Sequence, residues 1–499
     1  MNFNLPPLSE RLNFRNQSHL CTSTLESIKS DQAAFAVELR KKKRRVLSNI
    51  KRCLGTESIK LIYESSSLKT FISNFTDTES FILSVLDLLS QGIPSTTHEC
   101  FKVLDKIVKS TDLANMILQS SYLQIIVKYL FVEDSELLTV ITSLFTNLAC
   151  AEKNSLKILI ETQAIQRLLH LSNTFQGTVQ RNSLWALCNI CSEMAKVRKY
   201  LIDLGVDKEI IQQILTGKQT LDKHFELLSQ FCKEILTEES YLNCIKISYL
   251  ILIRFTSEYS VEIRISALWI LFHLTYYNPT LMDTVLDYRE LLPEIVNIVI
   301  SEAHLILIKA ASFNISNLSG YNASYTQRLL ENNVLEAVNK LIHIEHTNLR
   351  KEGYFILSNL AAGVAEQVKI VFQYKNLIVE AFEGVYDSQA EVRENAWHVF
   401  YNICRLKSKD FIMKLVKNGL LEAVSKGLRM ESDPKCIKKA LGFIEYLILA
   451  GELEGTNVLV SELNEYSIFE WVSEYSYHKD LTINEISNRI IDSHYSFNA

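Results

Sequence analysis

Apolar residues return at steps of three and four along most of this chain, as at Leu420, Val424 and Leu428, and that period lays them on one face of a helix. Breakers are scarce: 14 Gly and 6 Pro in 499 residues are too few for a fold of strands and tight turns. The pattern predicts an all-helical chain. Between apolar runs stand Gln163, Gly205, Asn333 and Gly419. Gly and Asn tolerate the left-handed backbone that terminates a helix, so these positions read as helix ends. The segments LLENNVLEAVNKL and LVKNGLLEAVSKG share one plan around such a break.

A second pattern is periodic over a longer distance. An aromatic residue precedes a polar one by four positions in Trp185-Ala-Leu-Cys-Asn189, and again in Trp269 to His273, Phe313 to Asn317, Phe355 to Asn359 and Trp397 to Tyr401. Weaker copies run from Ser143 to Asn147 and from Glu226 to Gln230. The polar positions are 41 to 44 residues apart throughout. A period in the low forties, built from two or three helices, is that of armadillo and HEAT repeats, in which each unit buries its apolar faces only against its neighbours. The expectation is an armadillo-type right-handed superhelical solenoid with one long concave face.

Length agrees, since 499 residues exceed what one compact core holds. The formal net charge of −5 hides an asymmetry. Arg40, Lys41, Lys42, Lys43, Arg44, Arg45, Lys51 and Arg52 crowd one N-terminal stretch and leave the remainder acidic, so the chain can bind its own tail. No apolar run reaches the roughly 18 residues of a membrane span, and the polar start lacks a signal-peptide core. A soluble chain with no membrane insertion is expected. The ten cysteines are scattered through helical stretches, and the pair Cys188 and Cys191 has no second pair to complete a zinc tetrad. Reduced core thiols, no metal and no cofactor are the reading.

Residues at i and i+4 project from one helix face, so Trp185 and Asn189 point together and the period repeats that pair as a ladder. An Asn amide can satisfy both donors and acceptors of an extended peptide backbone. Rings between the rungs can hold Lys or Arg stems, each cation–π contact contributing roughly 0.5–2 kcal/mol. The acidic neighbours Glu193, Glu352 and Glu394 would receive the charged ends. Against this stands the plainer use of a helical Trp or Phe as core and of Asn as a bridge between helices.

These residues resemble the importin alpha family of nuclear import adaptors. NSLWALCNICSE at 182–193 is similar to the family's third repeat, KEGYFILSNLAAG at 351–363 to the seventh, VRENAWHVFYNI at 392–403 to the eighth, and DPKCIKKALGFIEYLILAGE at 433–452 to the closing repeat. RLNFRN at 11–16, beginning at Arg11, and VELRKKKRR at 37–45, followed by Lys51 and Arg52, resemble the importin-beta-binding segment. The resemblance implies an adaptor that binds nuclear localisation signals of cargo proteins in its groove and links them to importin beta. It also implies that the trailing basic cluster occupies the chain's own groove when importin beta is absent, that an exportin recycles the adaptor, and that the chain shuttles between cytoplasm and nucleus. It assigns a major site to Asn147, Trp185, Asn189 and Glu193, and a minor site to Asn317, Glu352, Phe355, Asn359, Glu394 and Trp397.

Departures from the family pattern fall mainly in the major site. Ser143 and Glu226 stand where Trp is expected, Gln230 and Tyr401 where Asn is expected, with Asn402 one place further. Two missing ring walls imply weak binding of a simple Lys-rich signal and an altered cargo preference. A general armadillo scaffold for protein assembly, without transport activity, is the alternative. A scaffold has no need of VELRKKKRR. Nucleic-acid binding is disfavoured by an acidic solenoid and by a basic stretch without interleaved aromatics. Catalysis is not expected, for there is no Gly-rich phosphate loop, nucleophile elbow or metal-ligand spacing of histidines. The chain divides into a basic segment at 1–55, a linker with opening helices at 56–95, repeats at 96–450, and a helical cap at 451–499 carrying Phe469, Trp471 and Ile490.

Overall fold

A computed structural model describes residues 78–109, 111–216, 222–254, 258–374, 376–406, 408–452 and 458–498. The basic segment, with Arg11, Arg40, Lys41, Lys42, Lys43, Arg44, Arg45, Lys51 and Arg52, lies outside the described residues. Among these the regular structure is entirely helical. They form two compact units, which part between Tyr277 and Asn278, with the short stretch from Leu252 grouped with the second.

In the N-terminal unit the repeat is a helix triplet. Thr111–Gln119, then Leu123–Lys128 with its 3-10 extension to Phe131, then Ser135–Leu148 make one; Lys153–Ile160, Ala164–Thr174 and Thr178–Glu193 the next; Ala195–Asp203, Val206–Leu215 and Asp222–Phe231 a third. A pair, Thr78–Ser90 and Pro94–Ile107, opens the unit, and Glu238–Tyr249 with Val261–Tyr277 closes it. The last helix of each group carries the ladder. These helices are α1 (Pro94–Ile107), α2 (Ser135–Leu148), α3 (Thr178–Glu193), α4 (Asp222–Phe231) and α5 (Val261–Tyr277), and each packs against the next. In α2 the buried set Leu138, Ile141, Leu144, Phe145 and Leu148 follows the helical period, and every member is at most 1% exposed. An amphipathic stripe buried against the next repeat drives the stacking.

The C-terminal unit repeats the plan. Its ladder helices are α6 (Leu305–Tyr321), α7 (Thr347–Ala361), α8 (Ala390–Cys404), α9 (Pro434–Glu452) and α10 (Leu481–Asn498), again packed in sequence. The expected breaks are helix junctions. Gly205, Asn333 and Gly419 have φ of 80°, 61° and 96° and separate the first and second helices of their triplets. Gln163 occupies the same junction with φ −83°, a bend without the left-handed residue. Ser467, at φ 55°, is a further left-handed junction that the sequence does not mark; it separates Val458–Glu465 from Ile468–Tyr475. Residues 458–498 therefore have the triplet plan of a repeat, with α10 as its ladder helix. Each unit is an all-α stack of armadillo type.

Eight cysteines among the described residues are free thiols, and seven of them are buried. Burial pushes the thiol of Cys191 up to about 12, where it is inert. No helix among the described residues is long and apolar enough to cross a membrane.

Candidate functional site

Counted from the start of each ladder helix, the polar rungs fall on one turn. Asn147 is in α2, Asn189 in α3, His273 in α5, Asn317 in α6 and Asn359 in α7. The side chains of Asn147, Asn189 and His273 each bond to the preceding ladder helix. Asn147 Nδ2 donates to Asp105 Oδ1 at 2.9 Å, where Ser143 Oγ also donates at 2.8 Å. Asn189 Nδ2 donates to the Thr146 carbonyl at 3.0 Å, and His273 Nδ1 lies 2.9 Å from the Ser229 carbonyl. Asn147, Asn189 and His273 thus each staple their ladder helix to the last turn of the one before it. Such a bond to a carbonyl already inside a helix satisfies the side-chain donor at a position water does not reach.

What remains at these rungs is acceptor chemistry. Asn189 is 1% exposed and its Oδ1 has no partner among the described residues; the same holds for His273 Nε2 at 3% exposure. Burial, with Lys233 and Arg198 nearby, pushes His273 well below the ordinary imidazole value despite its bond to Ser229. The ring is neutral, so Nδ1 carries the proton and donates, and Nε2 is left as an acceptor. The sign of the pH dependence follows. Below the ordinary value of 6.5 the unfolded chain takes up a proton that folded His273 refuses, so stability falls with acid by up to about 1.4 kcal/mol per pH unit. Circular-dichroism melts between pH 7 and 5 are expected to show this slope, and His273→Asn, which keeps a donor for Ser229, to flatten it. An unchanged slope in the variant would mean other groups titrate there.

The ring positions differ between repeats. Trp185 is partly exposed, and Lys223 Nζ lies 4.9 Å from its ring centroid. Burial lowers the lysine's proton affinity, but Glu226, bonded to it, more than offsets this, and Lys223 remains an ammonium. Trp269 and Phe313 are buried at 7% and 5% exposure, Trp269 stacking on His273 with centroids 5.8 Å apart. Phe355 is partly exposed, as are Asn147, Glu193, Asn317 and Glu394. Asn359 is buried and donates from Nδ2 to Ser319 Oγ at 3.1 Å.

Three expectations are corrected here. Trp397 is fully buried and packs toward Phe443, with ring centroids 6.0 Å apart, so it is core and not a ring wall. The eighth repeat is read one residue too early in the sequence: Asn402, not Tyr401, is its rung, donating from Nδ2 to the Ser358 carbonyl at 2.9 Å as Asn189 does to Thr146. Its wall is therefore His398, and Glu394, His398 and Asn402 form one partly exposed stripe on α8. Burial of the imidazole, with Lys439 beside it, pushes His398 down to about 3, so this wall is a neutral ring. Glu352, assigned to receive a ligand cation, is 7% exposed and instead accepts from the Ser316 hydroxyl.

No protein-family model matches the chain, and no curated protein matches it. Solved structures do. The crystal structure of an engineered protein matches with a TM-score of 0.65 at 16% identity, covering 83% of this chain and 98% of that one. Computationally designed armadillo repeat proteins for modular peptide recognition match over 51% of this chain and 99% of theirs, at 20% identity and a TM-score of 0.44. A designed armadillo repeat protein in complex with the peptide (KR)4 matches over 48% of this chain and 98% of its own, at 22% identity and a TM-score of 0.42. The likeness is one of fold.

Proposed function

We propose that this chain is a non-catalytic adaptor of the importin alpha type, which holds extended basic segments of partner proteins on its ladder and links them to importin beta through residues 1–55. The observation that carries the binding role is the stripe Glu394–His398–Asn402. It sets a carboxylate, a flat neutral ring and an amide on successive turns of one helix, all reached by solvent. The amide nitrogen is already tied to Ser358, so the oxygen is directed to peptide N–H groups while Glu394 receives a cation. Phe355 and Asn317, partly exposed on the preceding ladder helices, extend the same chemistry. The transport role rests on the resemblance of RLNFRN and VELRKKKRR to the importin-beta-binding segment, and with it come cargo signals, an exportin for recycling and shuttling between cytoplasm and nucleus.

One set of contacts favours the second reading, a scaffold without transport activity: the amides of Asn147, Asn189 and Asn402 all bond to the preceding repeat, which is a structural use of the ladder. A pull-down of importin beta separates the two. The full chain is expected to retain importin beta and the chain lacking residues 1–55 to lose it. Retention by neither form would leave the scaffold reading.

A further inference from the structure

The fourth repeat breaks the ladder in a particular way. Where its neighbours carry a ring and an amide, α4 presents Lys223, Glu226 and Gln230, followed by Lys233 just beyond the helix end. The spacing of three, four and three residues sets them on one side of the helix. Both lysines turn back onto ladder groups. Lys223 has a side chain only 10% exposed, its ammonium bonds to the Glu226 carboxylate, and its Nζ sits over the Trp185 ring at 4.9 Å. Lys233 Nζ donates to Gln230 Oε1, the rung of this repeat, at 2.7 Å. Arg198, ion-paired with Glu234 at 2.7 Å, adds a third cation in the same unit. In the C-terminal unit a ring wall is treated alike: Lys309, 8% exposed, has its Nζ 5.7 Å from the Phe313 centroid.

We infer that Lys223 and Lys233 are built-in occupants of the N-terminal ladder, holding the Trp185 ring, the Glu226 carboxylate and the Gln230 amide as a bound lysine-rich peptide would. The inference rests on the reading of the ladder as a peptide-binding face. A peptide lysine arriving at Trp185 must first displace Lys223. It then gains a ring face and a carboxylate that the chain's own lysine has just lost, and exchange of one ammonium for another leaves little net attraction. The chain thereby discriminates against lysine at this rung. Removing Lys223 reverses the balance: the ring face opens, Glu226 loses its ion-pair partner, and an incoming lysine gains both contacts at once.

The test is fluorescence anisotropy of a labelled eight-residue Lys/Arg peptide on the full-length chain and its variants. Lys223→Ala is expected to bind at least about fivefold more tightly than the parent, the equivalent of about 1 kcal/mol. Lys223→Gln, which keeps the stem over the ring but not the charge, is expected to recover part of that gain and guards against a folding defect in the alanine variant. Adding Trp185→Ala to Lys223→Ala should remove the ring's share of the gain, and adding Glu226→Gln as well should cancel it. Parent-like or weaker binding by both Lys223 variants, with the parent itself binding, overturns the inference and leaves the peptide-binding reading standing. Absence of binding by every form overturns both.

Discussion

Arg393→Ala is expected to destabilise the C-terminal unit by about 3–5 kcal/mol, the cost of stranding a buried carboxylate. Arg393 lies in the first turn of α8 and meets Glu431, which leads into α9. Its Nε and Nη2 donate to the two carboxylate oxygens at 2.7 Å each, and Nη1 donates to the Asp387 carbonyl at 2.9 Å. The Glu431 side chain is 0% exposed and also accepts from the backbone N–H groups of Ser432 and Asp433 at 3.0 Å. Truncation leaves that charge in place without its counter-ion. Arg393→Lys retains the charge but loses the two-pronged fit and is expected to fall between. Replacing both partners together, Arg393→Met with Glu431→Leu, removes the buried charges as a pair and should cost less than Arg393→Ala alone. Urea denaturation followed by circular dichroism measures all three. A loss below about 1 kcal/mol for Arg393→Ala would place the pair with exposed surface bridges, whose contribution is of that size.

The same clamp recurs and was legible in the sequence, yet went unread. Arg350 in the first turn of α7 donates from Nε to Asp387 at 2.6 Å, and Arg181 in α3 bridges Asp222 at 3.0 Å. Arg181, Arg264, Arg350 and Arg393 stand at the same turn of their helices, eight or nine residues ahead of a rung. This arginine period runs beside that of the aromatic and amide positions. The fold was accessible because glycine and asparagine mark the helix junctions chemically. Ser467 is not legible in this way because serine carries no such mark, though its φ is 55°.

The ladder residues were found at the right period, but their exposure was not, because spacing shows which face a residue shares and not what covers that face. Glu352 follows Lys351, and only the helix rotation decides which of them faces solvent. Lys223 could not be placed over Trp185 from sequence, since their contact crosses from one repeat to the next. In the eighth repeat the ambiguity was chemical. Trp397-His398 and Tyr401-Asn402 offer an aromatic and a polar candidate in both registers, and the indole is the larger apolar group. Burial settled it in favour of Trp397 as core.

That register has a measurable consequence. Trp397→Ala is expected to cost about 3–5 kcal/mol of stability, the range for truncating a buried large aromatic. The indole lies against the backbone of the second helix of the next triplet, at a glycine: a Cβ added at Gly427 would come within 2.9 Å of Trp397 Cζ2. Neighbouring groups cannot fill the space an alanine would leave without moving that helix. Trp397→Phe keeps much of the ring volume and removes a buried indole N–H that has no partner among the described residues, so it should lose less than half as much. His398→Ala, at a partly exposed ring, should cost less stability than Trp397→Ala while weakening the Lys/Arg peptide on the stripe it shares with Glu394 and Asn402. The two readouts, melting and peptide anisotropy, therefore move apart in the two variants. A Trp397→Ala chain that melts like the parent but no longer binds peptide would return Trp397 to the ladder and refute the assignment of Asn402 as the rung.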